Sequence, residues 1–103
     1  MPGERVLLDS VIVIDHLNGL EQATQYLQSV ADEALVSVIT RAEVLTKLAP
    51  RDVPLGKDLL DRVGLVGTDR PVADLAAELR RRHRWRLPDA FQAAAAGWHN
   101  LLL

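Results

Sequence analysis

The sequence predicts an α/β fold, a three-layer α/β/α sandwich built around a parallel sheet. Short apolar runs alternate with amphipathic helical stretches along the whole chain. The apolar runs lack the in-out alternation of half-exposed strands, and the segments between them are long enough for helical crossovers. The length of 103 residues gives room for one core, because a compact domain takes about 100 to 150 residues, so one domain over residues 1–103 is expected.

The elements follow in order. Arg5-Val-Leu-Leu-Asp9 reads as a first strand, buried on both faces and ended by an acid and Ser10. Val11 to Ile14 is rich in β-branched residues, which by composition argues for more strand. Asp15, His16 and Leu17 then lead into the Asn18-Gly19 break. A helix is predicted over residues 21–31, where Ala23, Tyr26, Leu27 and Val30 recur three or four apart. Residues 34–39 form a second apolar run. Thr40-Arg-Ala-Glu43 opens a helix that must end near Pro50. A short helix over residues 54–62 is expected to turn Leu55, Leu59 and Leu60 inward, and residues 63–66 are a third strand. The helix over residues 72–84 places Val72, Leu75, Ala76 and Leu79 on one face and its arginines in the last turn, where cations complement the helix dipole. Leu87-Pro88 breaks it. Asp89 starts a last, alanine-rich helix that runs to Trp98 and can pack closely on a sheet. His99-Asn100 ends that helix before Leu101-Leu-Leu103, a final strand that is expected to be short or missing.

Composition excludes several chemistries. The chain has no cysteine, so a bound metal would be held by oxygen or imidazole. No run approaches the roughly 18 apolar residues of a membrane span, and the N-terminus lacks a secretory pattern, so a cytoplasmic protein without membrane contact is expected. His16, His83 and His99 are scattered and form neither a metal pair nor part of a triad; all three are expected at the surface or at caps. No phosphate-binding glycine-rich loop is present. A phosphatase or receiver domain built on an acid after the first strand fits poorly, because Val11 stands where a second aspartate would be needed and only Lys47 and Lys57 are available as lysines.

Three acids occupy strand-to-helix turns, where parallel α/β sheets place their binding sites. Asp9 ends the first strand, Glu43 lies just after the second, and Asp89 follows Pro88 at the last helix. Each has a plain reading when taken singly. Thr40 and Glu43 match a capping box, Asp89 suits a helix start, and Asp9-Ser10 suits a turn. Together they say more, since carboxylates crowded at one sheet end repel one another and call for a cation. Carboxylate oxygens suit Mg²⁺ or Mn²⁺, which can activate water and stabilise a leaving oxygen in phosphodiester hydrolysis.

These residues also carry a family resemblance. Val6-Leu-Leu-Asp9-Ser-Val-Ile-Val-Ile-Asp15 is similar to the opening strand and helix of PIN domains, and Ser37-Val-Ile-Thr40-Arg-Ala-Glu43-Val-Leu to their second acidic motif. Asp74-Leu-Ala-Ala-Glu-Leu-Arg80 and Leu87-Pro-Asp89-Ala-Phe-Gln-Ala-Ala-Ala-Ala96 resemble the helix and third acidic motif of VapC-type toxins. The resemblance implies a PIN-like fold, with Ser10 to Leu17 helical instead of strand. It implies a Mg²⁺- or Mn²⁺-dependent endoribonuclease toxin acting on RNA of the tRNA or rRNA class, neutralised by a cognate antitoxin. Asp9, Glu43 and Asp89 would then be the catalytic, metal-binding acids, with Ser10 and Thr40 orienting them from behind. Val11 departs from the polar residue usual two places after the first acid. The chain ends at Leu103, about where the family's last strand begins, so a fourth corner of the site is expected to be absent. The exposed sheet edge this leaves argues for a homodimer or an antitoxin complex.

Charge is uneven. Residues 1–79 carry 7 basic and 13 acidic groups, whereas residues 80–103 carry 5 basic and 1 acidic. The basic groups of that second part are arginines between Arg80 and Arg86, so Arg80, Arg84 and Arg86 are candidate phosphate contacts, with Trp85 stacking on a base. A rival from another class is a PIN-like interaction module that binds an antitoxin or other partner without hydrolysis.

Overall fold

The computed structural model describes residues 5–99 and 101. Three parallel strands, β1 (Val6–Leu7), β2 (Ala34–Ser37) and β3 (Gly64–Val66), pair in the order β1-β2-β3. Val6 stands opposite Ala34, and Leu35 opposite Gly64. Between β1 and β2 lie α1 (Ser10–Leu17) and α2 (Glu21–Ser29). Between β2 and β3 lie α3 (Val38–Lys47), a 3-10 turn (Pro50–Asp52) and α4 (Val53–Leu60). Helices α5 (Arg70–His83) and α6 (Leu87–Trp98) follow β3.

The strands separate two cores. Val6, Leu8, Ala34 and Val36 point to one face and pack with Val13 of α1, Val44 of α3 and Leu60 of α4. Leu7, Leu35 and Val66 point to the other face and pack on Val72 and Ala76 of α5 and Ala90, Ala94, Ala95 and Ala96 of α6. The alternation along each strand is that of a sheet covered on both sides, so the three-layer architecture stands. Ala90 and Ala94 are fully buried, and their small side chains let α6 lie close to the sheet and to α5.

Several boundaries differ from the sequence reading. The first strand is only Val6–Leu7, and Asp9 is the N-cap residue of α1. The β-branched run of Val11 to Ile14 lies inside α1, the Ser10–Leu17 helix that the family resemblance implies and composition alone does not, with Val13 buried and Val11 exposed. Tertiary burial of one helical face overrides the local strand preference. The second strand stops at Ser37, two residues short of Ile39. Leu55 points outward and is 62% exposed; the inner face of α4 is Gly56 and Leu60. A side chain at Gly56 would collide with Leu48, so the Leu48 side chain at the end of α3 packs on bare backbone of α4 there. Leu101 belongs to no strand, and the rest of the expected final strand, Leu102 and Leu103, lies outside the described residues.

Candidate active site

A cleft of about 570 Å³ opens at the carboxyl end of the sheet. Asp9, Ser10 and Val11 line it from the start of α1, Glu43 and Lys47 from α3, and Trp85, Arg86, Asp89 and Gln92 from the α5–α6 connection and α6. The structure therefore brings Asp9, Glu43 and Asp89 to one place.

None of the three is consumed by helix capping. Asp9 sits at the N-cap of α1 with extended backbone, φ −83° and ψ 152°, yet its side chain makes no cap bond; its neighbour is the Ser10 hydroxyl, 3.5 Å from Oδ1. The capping box expected of Thr40 and Glu43 is not formed. Ser37 is the true N-cap of α3, its Oγ accepting from the Thr40 N–H at 3.0 Å, so Glu43 is the sixth helical residue, beyond the free N–H groups that a capping box serves. Asp89 is the third residue of α6, favoured there by the dipole, with its Oδ2 3.7 Å from Arg86 Nε in an exposed ion pair.

Beneath the acids lies a polar floor. Gln92 Oε1 accepts from Thr40 Oγ1 at 3.0 Å and from Ser37 Oγ at 3.2 Å, while Gln92 Nε2 donates to the Leu8 carbonyl at 2.9 Å. Ser37 and Thr40 are 2% and 1% exposed, so these hydroxyls depend on the bonds, and no side-chain polar atom buried among the described residues lacks a partner. The segments so tied are the end of β1, the start of α3 and the first turns of α6, which carry Asp9, Glu43 and Asp89 respectively.

The profile of the PIN domain family matches residues 6–103. The chain belongs to the PIN domain family. PIN domains are generally nucleases and typically depend on a divalent metal. Among solved structures, a toxin-antitoxin complex from Klebsiella pneumoniae superposes with a TM-score of 0.86 at 27% identity, covering 93% of this chain and 81% of that one. FitAcB from Neisseria gonorrhoeae superposes with a TM-score of 0.74 at 23% identity, covering 93% and 83%, and so shares the fold. No curated protein matches the chain.

Within this PIN domain the remaining site residues divide. Thr40 lies in the floor, its hydroxyl bonded to Gln92. Ser10 touches Asp9 directly. Trp85 and Arg86 line the cleft, whereas Arg80 and Arg84 do not. Arg84 takes the left-handed conformation, φ 56°, and ends α5; that turn swings Trp85 and Arg86 to the rim, where Trp85 stacks on His83 with ring centroids 4.4 Å apart. Lys47 joins no ion pair among the described residues and adds a cation to the cleft that the sequence reading had not assigned to the site. Its signal was the four-residue spacing from Glu43, which places both on one face of α3. Gln92, three residues after Asp89, was also missed.

Among the described residues no three carboxylates or imidazoles are gathered tightly enough to form a metal cage. The donor chemistry nevertheless fits a hard divalent cation: three carboxylates face one cleft with a hydroxyl beside them, and no thiolate competes. A separate apolar cavity of about 300 Å³ lies between α2, α4 and the sheet; it is lined by Leu8, Leu27, Leu59 and Val63 and contains no acid. No helix among the described residues is long and apolar enough to cross a membrane.

Proposed function

We propose that the chain is a cytoplasmic, metal-dependent endoribonuclease toxin, one domain over residues 1–103, that hydrolyses RNA phosphodiester bonds and is neutralised by a cognate antitoxin. The observation that carries this reading is the cleft itself, where three acids from three different elements meet and none is taken up by a cap. Asp9, Glu43 and Asp89 would hold Mg²⁺ or Mn²⁺, with Ser10 steadying Asp9. When bound, the cation supplies charge neutralisation at the phosphate and a more acidic water. The protein's own residues do the rest. Lys47 and Arg86 draw the RNA phosphates into a cleft that would otherwise repel them, and Trp85 offers its exposed face to a base. The fixed floor keeps the acids from shifting as the substrate enters.

The toxin-antitoxin complex from Klebsiella pneumoniae supports an antitoxin partner, and the apolar cavity beside α2 and α4 is of the kind that a partner helix fills. A homodimer would cover the open sheet edges. The rival reading, an interaction module without hydrolysis, draws its support from the acids' looser spacing.

Cleavage of structured RNA, of the tRNA or rRNA class, in the presence of Mn²⁺ separates the two. The wild-type protein is expected to cut, and the Asp9→Asn and Asp89→Asn variants to lose at least about 100-fold in rate, given the several kcal/mol that a catalytic cation contributes. Equal residual cleavage in all three would sink the enzyme reading.

A further inference from the structure

We infer that Gln92 is a positioning residue for the acid site, a single side chain that holds the three acid-bearing segments in register so that Asp9, Glu43 and Asp89 take up a cation together. This rests on the metal-dependent reading above and adds to it a residue outside the set of acids.

The placement of its bonds makes the case. Gln92 Nε2 donates to the carbonyl of Leu8, the residue before Asp9. Gln92 Oε1 accepts from Thr40, three residues before Glu43 on α3, and from Ser37, which caps that helix. Gln92 itself stands one turn after Asp89 on α6. The bonds to Leu8 and Thr40 therefore end within a helical turn of Asp9 and Glu43, and the bond to Ser37 ends at the cap of the helix that carries Glu43. The bonds join partners 84, 52 and 55 residues apart in sequence, so at this end of the sheet they add side-chain ties among three segments that strand pairing and helix packing already bring side by side.

The chemistry also asks for a glutamine amide. Two hydroxyls, Ser37 and Thr40, aim at one oxygen, and a backbone carbonyl needs a donor; only a side chain with an acceptor and a donor on the same planar group meets both demands. Isosteric methionine meets neither. Glutamate would accept from the hydroxyls but could not donate to Leu8, and would add a fourth negative charge under the acids. The rest of the inner face of α6 is apolar, with Ala90, Ala94, Ala95 and Ala96 buried, so Gln92 stands out as the polar residue that this helix directs at Leu8, Ser37 and Thr40. Residues behind metal ligands fix their orientation, and losing one typically weakens metal binding about 10- to 100-fold.

The test is Mn²⁺ binding to the full chain, followed by the loss of the free-ion paramagnetic resonance signal, at a temperature well below melting. Gln92→Met is expected to bind Mn²⁺ about 10- to 100-fold more weakly than wild type. Gln92→Glu should not restore wild-type affinity. Thr40→Val, which removes one of the two hydroxyls, should weaken binding in the same direction, and Thr40→Ser, which keeps the hydroxyl, should restore most of it. A merely structural role would lower the melting temperature and leave the Mn²⁺ affinity of the folded protein unchanged. Wild-type affinity in folded Gln92→Met overturns the inference. If Gln92→Met does not fold, the Thr40 pair decides, and equal affinity in Thr40→Val and Thr40→Ser overturns it. Failure of the underlying reading looks different: wild-type protein that binds no Mn²⁺, or an Asp89→Asn variant that binds as wild type does, removes the site itself and the inference with it.

Discussion

The rim and the floor of the cleft are built on opposite terms. On the rim, Asp9, Glu43 and Asp89 are exposed or half-buried, none spends its side chain on a cap bond, and the one ion pair that holds any of them among the described residues, Arg86 with Asp89, is long and solvated. On the floor, Ser37 and Thr40 are almost wholly buried and each is bonded to Gln92. The floor commits its polar groups to one another, and the rim leaves its polar groups free for something else. The difference separates the two by experiment: rim changes should cost activity without stability, and floor changes should cost stability together with metal affinity.

The largest effect belongs to the rim. Asp9→Asn and Asp89→Asn should each lower RNA cleavage by about 100-fold or more. Their urea midpoints should stay at or above wild type, because removing one of several facing carboxylates relieves repulsion. A marked loss of stability in either would erase the contrast. Next comes Thr40→Val on the floor, which leaves Gln92 Oε1 with one fewer donor in a buried setting. It should destabilise by about 1–3 kcal/mol in urea denaturation. Ser37→Ala removes a helix cap as well as a floor bond and should cost at least about 1 kcal/mol by the same measurement. Smaller still, Lys47→Gln should raise the KM for RNA several-fold and lessen the salt dependence of binding by about one phosphate contact, with stability unchanged. The smallest is Arg86→Ala. Its pair with Asp89 is exposed on both sides, so the urea midpoint should move by less than about 0.5 kcal/mol equivalent.

The same contrast explains what could be read from the sequence. The strand and helix order, the two-faced sheet and the three rim acids were legible, because burial on both faces leaves continuous apolar runs and because acids at strand ends stand out against them. The floor was not. Val38 and Ile39 have strand composition, which predicts β2 up to Ile39 and a cap at Thr40, whereas the strand ends at Ser37 and the helix starts three residues earlier. That shift freed Glu43 from the capping box. Gln92 carried no local signal at all, since its partners lie 52, 55 and 84 residues away. For Val11 to Ile14 composition alone points to strand and the family resemblance to helix, and the helix is right: β-branched composition reports fit to a packed surface, and here that surface is one face of a short helix. Leu55 was expected inward by periodicity, but Gly56 occupies the contact with α3 and turns Leu55 to solvent.

The central claim is that the free acids of the rim bind a divalent cation that the floor is built to support. The shift in melting temperature on adding Mn²⁺ tests it most directly, with wild-type protein beside an Asp9→Asn, Asp89→Asn double variant. At about 100 times the dissociation constant, binding to the folded state alone adds about 2.7 kcal/mol, which for a chain of this size raises the melting temperature by about 12 °C. The account predicts that rise in the wild type and its absence in the double variant. An equal shift in both, or no shift in the wild type, would contradict it.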